Sequence, residues 1–361
     1  MTKTTLRAVA GFLAAALLLA VPVSAISAEK AILLDGQTGR VLYEKNADSQ
    51  SLIASTTKIM TALLICEQCN VLDRMRIPKE AVGIEGSSMY LKEGEVLTVQ
   101  ELLYGLMLCS GNDAAVALAI YCGGTVEGFA QLMNDKAHDL GMTGSHFVNP
   151  NGLDAPEHYS TARDLAILSA YAMNNPIFAM TVSCKSVKVG ERSLTNHNKL
   201  LWRLPGANGV KTGYTKAAGR ILVSGAKRGG RQLIAVTINA PSDWNDHTQL
   251  LEDGFSRFSV QTIVEEGQCL GAQAVAGGLA GYVPLLAAED FSYAMAAGEQ
   301  VSIELPGSGF VYAPVAEGQT AGFAHIFLDG APVGKVAVVY GQTVEQLPEQ
   351  KQSIWHKLFS R

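Results

Sequence analysis

The stretch that decides the fold is Ala54-Ser55-Thr56-Thr57-Lys58-Ile59-Met60-Thr61-Ala62-Leu63-Leu64, in which a short polar segment leads into an apolar run. The apolar residues recur at helical spacing, and we predict a core helix over Lys58 to Glu67. Ser55 and Lys58 are three residues apart, so at a helix start they share one face and their side chains are within reach. A serine hydroxyl needs a neighbouring base, because its own pKa lies far above neutrality. The spacing therefore predicts an activated serine, provided that burial and a nearby cation keep Lys58 partly neutral.

The pattern Ser-x-x-Lys occurs three times in the chain, and the context separates the three copies. Ser27 lies at the junction of a predicted export signal. Ser224 lies at the end of a predicted strand, where residues three apart point to opposite faces. Only Ser55 leads into a helical run, although on its own it would be interpreted as an ordinary helix N-cap.

A second polar group, Ser110-Gly111-Asn112, separates two apolar helical runs. We predict a tight corner whose side chains project into a cleft. The Ser110 hydroxyl can relay a proton to a leaving amine. The Asn112 amide can hold a substrate backbone and position Lys58. Taken alone, this tripeptide would be a turn with a helix cap.

A third group, Lys211-Thr212-Gly213, precedes a predicted hairpin, which puts it on an edge strand. Gly213 leaves room for a substrate backbone, while Lys211 and Thr212 offer a cation and a hydroxyl to a carboxylate. The backbone N–H groups of Tyr214 and Ser55 can form an oxyanion hole. A cation here would also lower the pKa of a nearby lysine base. Alone, the group would be an exposed strand end.

Predicted strands enclose a helical middle. Alternating residues predict hairpins over 31–43 and 221–238. Helical spacing predicts the following helices: Lys58 to Glu67, Val99 to Cys109, Asp113 to Tyr121, Val126 to Leu140 and Thr161 to Met173. This order indicates an α+β domain over 29–258, with helices packed on a sheet that joins its two ends. Gly-rich short segments and runs such as Lys335 to Tyr340 predict a small β-rich domain over 262–348.

Composition and the N-terminus limit the function classes. Apolar residues make up 48% of the chain and charged residues 17%, which is typical of a globular protein. The net charge of −5 gives no case for nucleic-acid binding. Lys3 and Arg7 precede the apolar run from Ala8 to Val23, which predicts a signal peptide over 1–28, cleaved after Ala25 or Ala28.

The six cysteines predict less about function than the three polar groups do. Cys109 and Cys122 lie inside apolar runs, which predicts buried thiols. Cys66 and Cys69 have CxxC spacing, but no second CxxC and no histidine pair at zinc spacing accompany them, so no metal or redox site is predicted. The remaining cysteines are Cys184 and Cys269, and the sequence leaves open whether any of the six pair.

Longer stretches around the three groups look like the low-molecular-mass penicillin-binding proteins, the serine-type D-Ala-D-Ala carboxypeptidases (DD-peptidases) of peptidase family S11. These stretches are Ala54 to Ala62, Ser110 to Ala115, Asn149 to Leu153, His158 to Ala162 and Gly209 to Gly213. The resemblance covers about residues 29–258 closely and the β-rich tail region loosely. It implies an α+β fold like that of the serine DD-peptidases and β-lactamases, in which helices flank an antiparallel sheet and form a helical subdomain.

By position, the resemblance implies Ser55 as acyl-ester nucleophile, Lys58 as proton acceptor, Ser110 and Asn112 as second-motif residues and Lys211 as the group that meets a terminal carboxylate. It implies peptidoglycan stem peptides ending in D-Ala-D-Ala as substrates, β-lactams as inhibitors, and no metal or organic cofactor. It also implies an exported protein at the extracytoplasmic face of the cell membrane or in the cell wall.

Two features depart from the family pattern. Cys109 puts a thiol directly before Ser110, where its oxidation would interfere with activity. Family members often end in an amphipathic membrane anchor, whereas the amphipathic part of the predicted tail over 349–361, residues 353–361, is barely two turns long. Its apolar residues support only weak peripheral membrane contact; they are Ile354, Trp355, Leu358 and Phe359.

Three alternatives stay open on the same motifs. A β-lactamase of class A would carry Glu-x-x-Leu-Asn between the second and third groups, and no such pattern occurs there. A D,D-endopeptidase would use the same residues on cross-linked peptides. The third hypothesis is a binding protein in place of an enzyme: a non-catalytic protein with this fold that binds peptidoglycan.

Overall fold

The computed structural model describes residues 26–305, 307 and 309–348. The predicted tail over 349–361 and residues 1–25 of the predicted signal peptide lie outside this part of the chain. Within the described residues, no single helix is both long and apolar enough to cross a membrane; two sharply bent helix pairs meet that test only when each pair is taken together.

The first domain mixes strands and helices. Its strands are β1 (Lys30–Asp35), β2 (Val41–Lys45), β3 (Arg74–Arg76), β4 (Val96–Thr98), β5 (Ser186–Val189), β6 (Arg192–Thr195), β7 (Ala207–Thr215), β8 (Gly219–Arg228) and β9 (Arg231–Ile238). Its helices are α1 (Lys58–Gln68), α2 (Val99–Leu108), α3 (Asn112–Gly123), α4 (Val126–Asp139), α5 (Ala162–Ala172), α6 (Pro176–Ser183), α7 (Leu200–Arg203) and α8 (Asp243–Arg257).

The central sheet joins the two ends of this domain, as the sequence predicted. Its order is β2-β1-β9-β8-β7, and all neighbouring strands run antiparallel. Alternate residues face opposite sides. Ile32 of β1 packs into the main core with α1 and α5, whereas Leu33 packs into a second core with Leu250 of α8. Helices cover both faces of the sheet, and β2 and β7 are its outer strands.

All five helices that the spacing predicts are confirmed as α1 to α5, with end points within a few residues. The predicted start of α5 is also confirmed, because the Thr161 hydroxyl accepts a hydrogen bond from the Asp164 N–H at 3.0 Å. Helices α6 and α8 were missed. Helix α8 begins with polar residues around Trp244, and its apolar stripe is short. Cys109 and Cys122 are half-buried, because each lies where its helix ends near the surface.

Ser224 corrects one detail of the sequence analysis. It lies inside β8 and not at the end of that strand, because β9 pairs with β8 as far as Arg228. Its buried hydroxyl lies 2.5 Å from Nδ1 of His247 on α8, whose Nε2 lies 2.9 Å from the Thr237 hydroxyl. Lys227 is exposed, so this Ser-x-x-Lys copy does not bring its two side chains together.

The second region is built from strands alone. They are β10 (Phe258–Val264), β11 (Cys269–Ala276), β12 (Tyr282–Ala287), β13 (Phe291–Ala296), β14 (Val301–Glu304), β15 (Phe310–Tyr312), β16 (Thr320–Leu328) and β17 (Ala331–Tyr340). Six of them form a sheet of order β14-β16-β17-β12-β11-β15, and β10 pairs with β13. The predicted β-rich domain is therefore present, although its first strand begins at Phe258 and not at residue 262.

An ion pair joins the two regions. Arg40 lies between β1 and β2. Its guanidinium lies 2.7 Å from a carboxylate oxygen of Glu299, which belongs to the second region. It also lies over the Phe258 ring, with 5.1 Å between the guanidinium carbon and the ring centroid. This contact fixes the β-rich region against the β1–β2 hairpin.

Candidate active site

Ser55 lies in a single turn of 3-10 helix, Ala54–Thr57, that leads directly into α1. The turn is held from below by the Thr56 hydroxyl, which donates to the Ile53 carbonyl at 2.6 Å. Gly152 also packs closely against the turn. Its φ is +85°, and a Cβ at this position would overlap the Ala54 carbonyl. Only glycine fits that position. The turn therefore presents Ser55 in a fixed orientation.

Lys58 is the first residue of α1 and is completely buried. Its amine lies 3.0 Å from Ser55 Oγ, 2.6 Å from Asn112 Oδ1 and 2.6 Å from the Asn151 carbonyl oxygen. An amine offers enough hydrogen-bond capacity to satisfy all three partners. The three contacts come from three separate chain segments and fix the amine beside the Ser55 hydroxyl.

Burial and a second lysine together lower the pKa of Lys58. Removal from water is the larger cause, since it disfavours the charged form, and the nearby positive charge of Lys211 adds to it. Lys211 is itself buried, which lowers its pKa to about 7. The site therefore favours a neutral amine at Lys58, which is the form that accepts a proton.

The Ser110-Gly111-Asn112 corner has the geometry that the sequence predicted. Ser110 adopts a left-handed backbone conformation, with φ of +64°, and the Gly111 N–H donates to the Gly105 carbonyl at 3.0 Å. Asn112 opens α3, and its side-chain Nδ2 donates to the Glu85 carbonyl at 2.5 Å. That bond orients the amide, so its oxygen faces Lys58.

Lys211, Thr212, Gly213 and Tyr214 lie on β7, the edge strand of the sheet. A Cβ at Gly213 would lie 3.2 Å from the Ile53 carbonyl, so this glycine lets the strand pass close to the turn that carries Ser55. The Lys211 amine donates to the Thr212 carbonyl at 2.9 Å. The strand therefore lies directly beside the nucleophile candidate.

An open cleft of about 350 Å³ lies between the corner, the turn and β7. Its lining includes Ser55, Ser110, Thr212, Gly213, Tyr214 and Arg220. Lys58, Asn112 and Lys211 lie behind this surface and are buried. All eight predicted site residues are thus brought together by the fold.

Two groups at the site were missed by sequence reasoning. The Asn151 carbonyl reaches Lys58 because the turn around it is closed by its own side chains: Asn149 Oδ1 accepts from the Gly152 N–H at 2.7 Å. The buried Asp113 carboxylate holds the segment over the cleft, since it accepts from Ser88 Oγ at 2.6 Å and from the Leu91 N–H at 3.0 Å. The asparagine-rich turn was the available signal for the first group.

Arg220 is a second cation at the cleft. It lines the cleft, and its guanidinium is paired with both oxygens of the Asp243 carboxylate, at 2.9 and 2.8 Å. Its side chain is 46% exposed, so it can reach a ligand while it keeps its partner.

Comparison with known families agrees with this arrangement. The family model described as D-alanyl-D-alanine carboxypeptidase matches residues 18–242, which is more than half of the chain. The chain belongs to this family. A second model, the C-terminal domain of penicillin-binding protein 5, matches residues 258–346. Its match covers the β-rich region.

Similar curated proteins carry the same description. D-alanyl-D-alanine carboxypeptidase DacF of Bacillus subtilis is 34% identical over 319 residues, which cover 84% of this chain and 82% of DacF. DacC of Escherichia coli is 33% identical over 340 residues, which cover 89% of this chain and 85% of DacC. Both alignments extend beyond residue 258 because they span most of the chain.

Among solved structures, penicillin binding protein 5 from Haemophilus influenzae superposes with a TM-score of 0.79 at 30% identity, covering 89% of this chain and 98% of that one. A DD-transpeptidase of Streptomyces K15 superposes with a TM-score of 0.62 at 35% identity and covers 64% of this chain. These likenesses confirm the DD-peptidase fold with its β-rich C-terminal domain. This member of the family is a hydrolase of the serine carboxypeptidase class.

The Lys58–Lys211 pair predicts a pH effect. Removing the Lys211 charge in Lys211→Ala takes away one of the two causes that lower the Lys58 pKa, so that pKa rises. A base must be neutral to act, so the rate of acylation by a penicillin should begin its rise at a higher pH in the variant. Rates measured by stopped-flow from pH 5 to 10 test this shift.

The matched control is Lys227→Ala, which removes an exposed lysine from β8 and should leave the pH profile in place. A Lys211→Ala profile that keeps its midpoint, or moves to lower pH, would show that Lys211 does not act on the base.

Proposed function

We propose that this chain removes the terminal D-alanine from peptidoglycan stem pentapeptides through an acyl-enzyme on Ser55, and that β-lactams acylate the same hydroxyl. The observation that carries the proposal is the 3.0 Å contact between Ser55 Oγ and the buried amine of Lys58. A buried amine with a lowered pKa is what an activated serine requires as its base.

In the proposed acylation step, Lys58 takes the Ser55 proton while Oγ attacks the carbonyl carbon between the two D-alanines. The backbone N–H groups of Ser55 and Tyr214 stabilise the negative charge on the carbonyl oxygen. The C–N bond then breaks, and the proton on Lys58 passes through the Ser110 hydroxyl to the leaving amine. Free D-alanine departs, and Ser55 carries the shortened peptide as an ester.

Water completes the cycle. A water molecule gives a proton to Lys58 while its oxygen attacks the ester carbonyl. The bond between that carbon and Ser55 Oγ then breaks, Lys58 returns the proton to Oγ, and the tetrapeptide leaves with a free carboxylate. Asn112 supports both steps, because its oxygen holds the Lys58 amine at 2.6 Å. Its own amide group is held by the Glu85 carbonyl, so we assign it a positioning role.

The terminal carboxylate of the substrate is the proposed ligand of Lys211 and Thr212. The cleft wall carries the Thr212 side chain, and the Lys211 amine lies directly behind it. Since burial lowers the pKa of Lys211 to about 7, a bound carboxylate would favour its charged form. Charge and hydroxyl together would select peptides with a free C-terminus.

The family assignment and the intact Ser–Lys pair favour this activity over the alternatives. A β-lactamase would need a separate group to activate water, and a non-catalytic protein would not need a base with a lowered pKa. An endopeptidase would cut the same bond type in cross-linked peptides. Analysis of products from a defined pentapeptide and a defined cross-linked dimer separates the two peptidase activities.

Ser55→Ala should abolish both D-alanine release and labelling by a fluorescent penicillin, because the variant removes only the attacking hydroxyl. Mass spectrometry of the labelled wild type should locate the adduct on the tryptic peptide that contains Ser55. Ser193→Ala, which removes an exposed serine of β6, should label as fast as the wild type. A stable adduct in Ser55→Ala would assign the nucleophile to another residue.

Lys211→Ala should lose most of the preference for a pentapeptide with a free carboxylate over the same peptide amidated at its C-terminus. A hydrogen bond to a charged group contributes about 1.5–3 kcal/mol, so kcat/KM for the free acid should fall roughly ten- to a hundredfold. The amidated peptide should be affected less.

Two arginine variants complete that test. Arg163→Ala removes a guanidinium that is held by Asp48 at 2.7 Å and does not line the cleft, so the preference should persist. A loss of preference in Arg220→Ala, with none in Lys211→Ala, would assign the carboxylate to Arg220.

We also propose that the chain is exported, as the proposed peptidoglycan substrate requires, with its tail over 349–361 as a peripheral membrane contact. Export should remove residues 1–25. Residues 26–28 belong to the folded domain: Ser27 Oγ donates to the buried Asp246 carboxylate at 2.7 Å, and the Ala28 N–H donates to it at 3.0 Å.

Cleavage after Ala28 would leave the Asp246 carboxylate without these donors, at a cost in stability. N-terminal sequencing of the exported protein should therefore begin at Ile26. A sequence that begins at Glu29 would overturn the assignment.

A further inference from the structure

Two half-buried cysteines lie at the far ends of the two helices that form the site. Cys69 follows the last residue of α1, whose first residue is Lys58. Cys122 lies in the last turn of α3, whose first residue is Asn112. The two helices therefore meet at one end through the Lys58–Asn112 hydrogen bond and carry a thiol each at the other end.

Side-chain contacts bring the two thiols together. The Cys122 sulfur lies 3.4 Å from Oε1 of Gln68, the residue before Cys69. The hydroxyl of Tyr121, the residue before Cys122, donates to the Asp73 carboxylate at 3.0 Å, just beyond Cys69. Contacts on both sides of Cys69 thus reach the end of α3 and place the Cys122 thiol beside the end of α1 that carries Cys69.

The two neighbouring thiols are chemically unequal. The Cys122 thiol raises the pKa of Cys69, and the Cys69 thiol lowers the pKa of Cys122. The thiolate is the nucleophile in disulfide exchange, so Cys122 is the sulfur that attacks first. Neither cysteine is fully buried, which leaves a path for a reagent.

We propose that Cys69 and Cys122 form a disulfide that ties together the far ends of α1 and α3. The oxidant is a disulfide, either a small molecule such as oxidised glutathione or a protein. The Cys122 thiolate attacks one of its sulfurs and releases one thiol, which leaves a mixed disulfide on Cys122. Cys69 then loses its proton and displaces the second thiol. Two thiols are oxidised, one external disulfide is reduced, and no other reactant is needed.

The neighbouring cysteines do not compete for this bond. Cys66 has CxxC spacing with Cys69, but it is buried, and burial raises its pKa to about 12. Cys109 lies at the other end of the helical region, before Ser110, and burial raises its pKa as well. The pair is therefore formed across two helices and not within the CxxC group.

The bond would close a loop from 69 to 122, which contains α2, α3 and the Ser110 corner. A disulfide that closes a long loop stabilises the native state, mainly by restricting the unfolded chain. We expect oxidation to raise the melting temperature of the first domain by about 5–10 °C. The proposal does not depend on the activity assigned to Ser55, since purified protein and added oxidant suffice to test it.

The test treats the purified full chain with oxidised glutathione, alkylates the remaining thiols and maps the peptides without reduction. Trypsin places Cys66 and Cys69 together in peptide 59–74, and Cys109 and Cys122 together in peptide 93–136. The wild type should give these two peptides joined, lighter by two hydrogens. Single serine variants then identify the sulfurs.

Cys66→Ser and Cys109→Ser are the matched controls, and each should keep the cross-link between the two peptides. Cys69→Ser and Cys122→Ser should each abolish it, together with the rise in melting temperature. A cross-link that survives in Cys69→Ser or in Cys122→Ser would overturn the assignment. Unjoined peptides from oxidised wild-type protein, in which both thiols are alkylated, would overturn the proposal without any variant.

Discussion

The burial of the Lys58 amine is the constraint on which the rest of the site depends. An amine inside a protein is stable only if its hydrogen-bonding capacity is satisfied or its charge is given up. Here both conditions are met, because three oxygens surround the amine and a second buried lysine disfavours its charge. Those oxygens belong to the turn before α1, the start of α3 and the 149–153 turn. The requirements of one atom therefore hold three segments together.

The sheet contributes an outer strand, β7, that lies beside Ser55. Strand β7 has β8 on one side and the cleft on the other, so its free N–H and C=O groups can pair with an extended peptide. Gly213 lets this edge pass close to the Ser55 turn. The two cores on either face of the sheet keep β7 from shifting, which fixes the distance between this strand and the Ser55 hydroxyl.

Local spacing predicted the parts of the site that local structure determines. Ser55 and Lys58 lie at the start of one helix, and their spacing of three residues is enough to predict that their side chains meet. The corner at Ser110 and the edge strand at Lys211 follow from turn chemistry and alternation. The Asn151 carbonyl was not predictable, because any residue has a carbonyl and only the folded turn aims this one at Lys58. The Asp113 carboxylate was missed for a related reason, since two of its partners are backbone N–H groups of residues 89 and 91, which no residue type identifies. Helix α8 was not predicted because its first turn is mostly polar and shows no clear apolar spacing.

The most direct measurement of the central claim is the titration of Lys58 itself, followed by NMR in protein labelled with carbon-13 at the lysine Cε and assigned through Lys58→Arg. A neutral base requires the Lys58 signal to change at a pH well below 10.5, the value of an ordinary lysine. The signals of the exposed lysines in the same sample provide the internal reference. The account predicts that the Lys58 signal titrates well before theirs. A Lys58 signal that titrates together with the exposed lysines would contradict it, since the amine would then be charged whenever the enzyme is active.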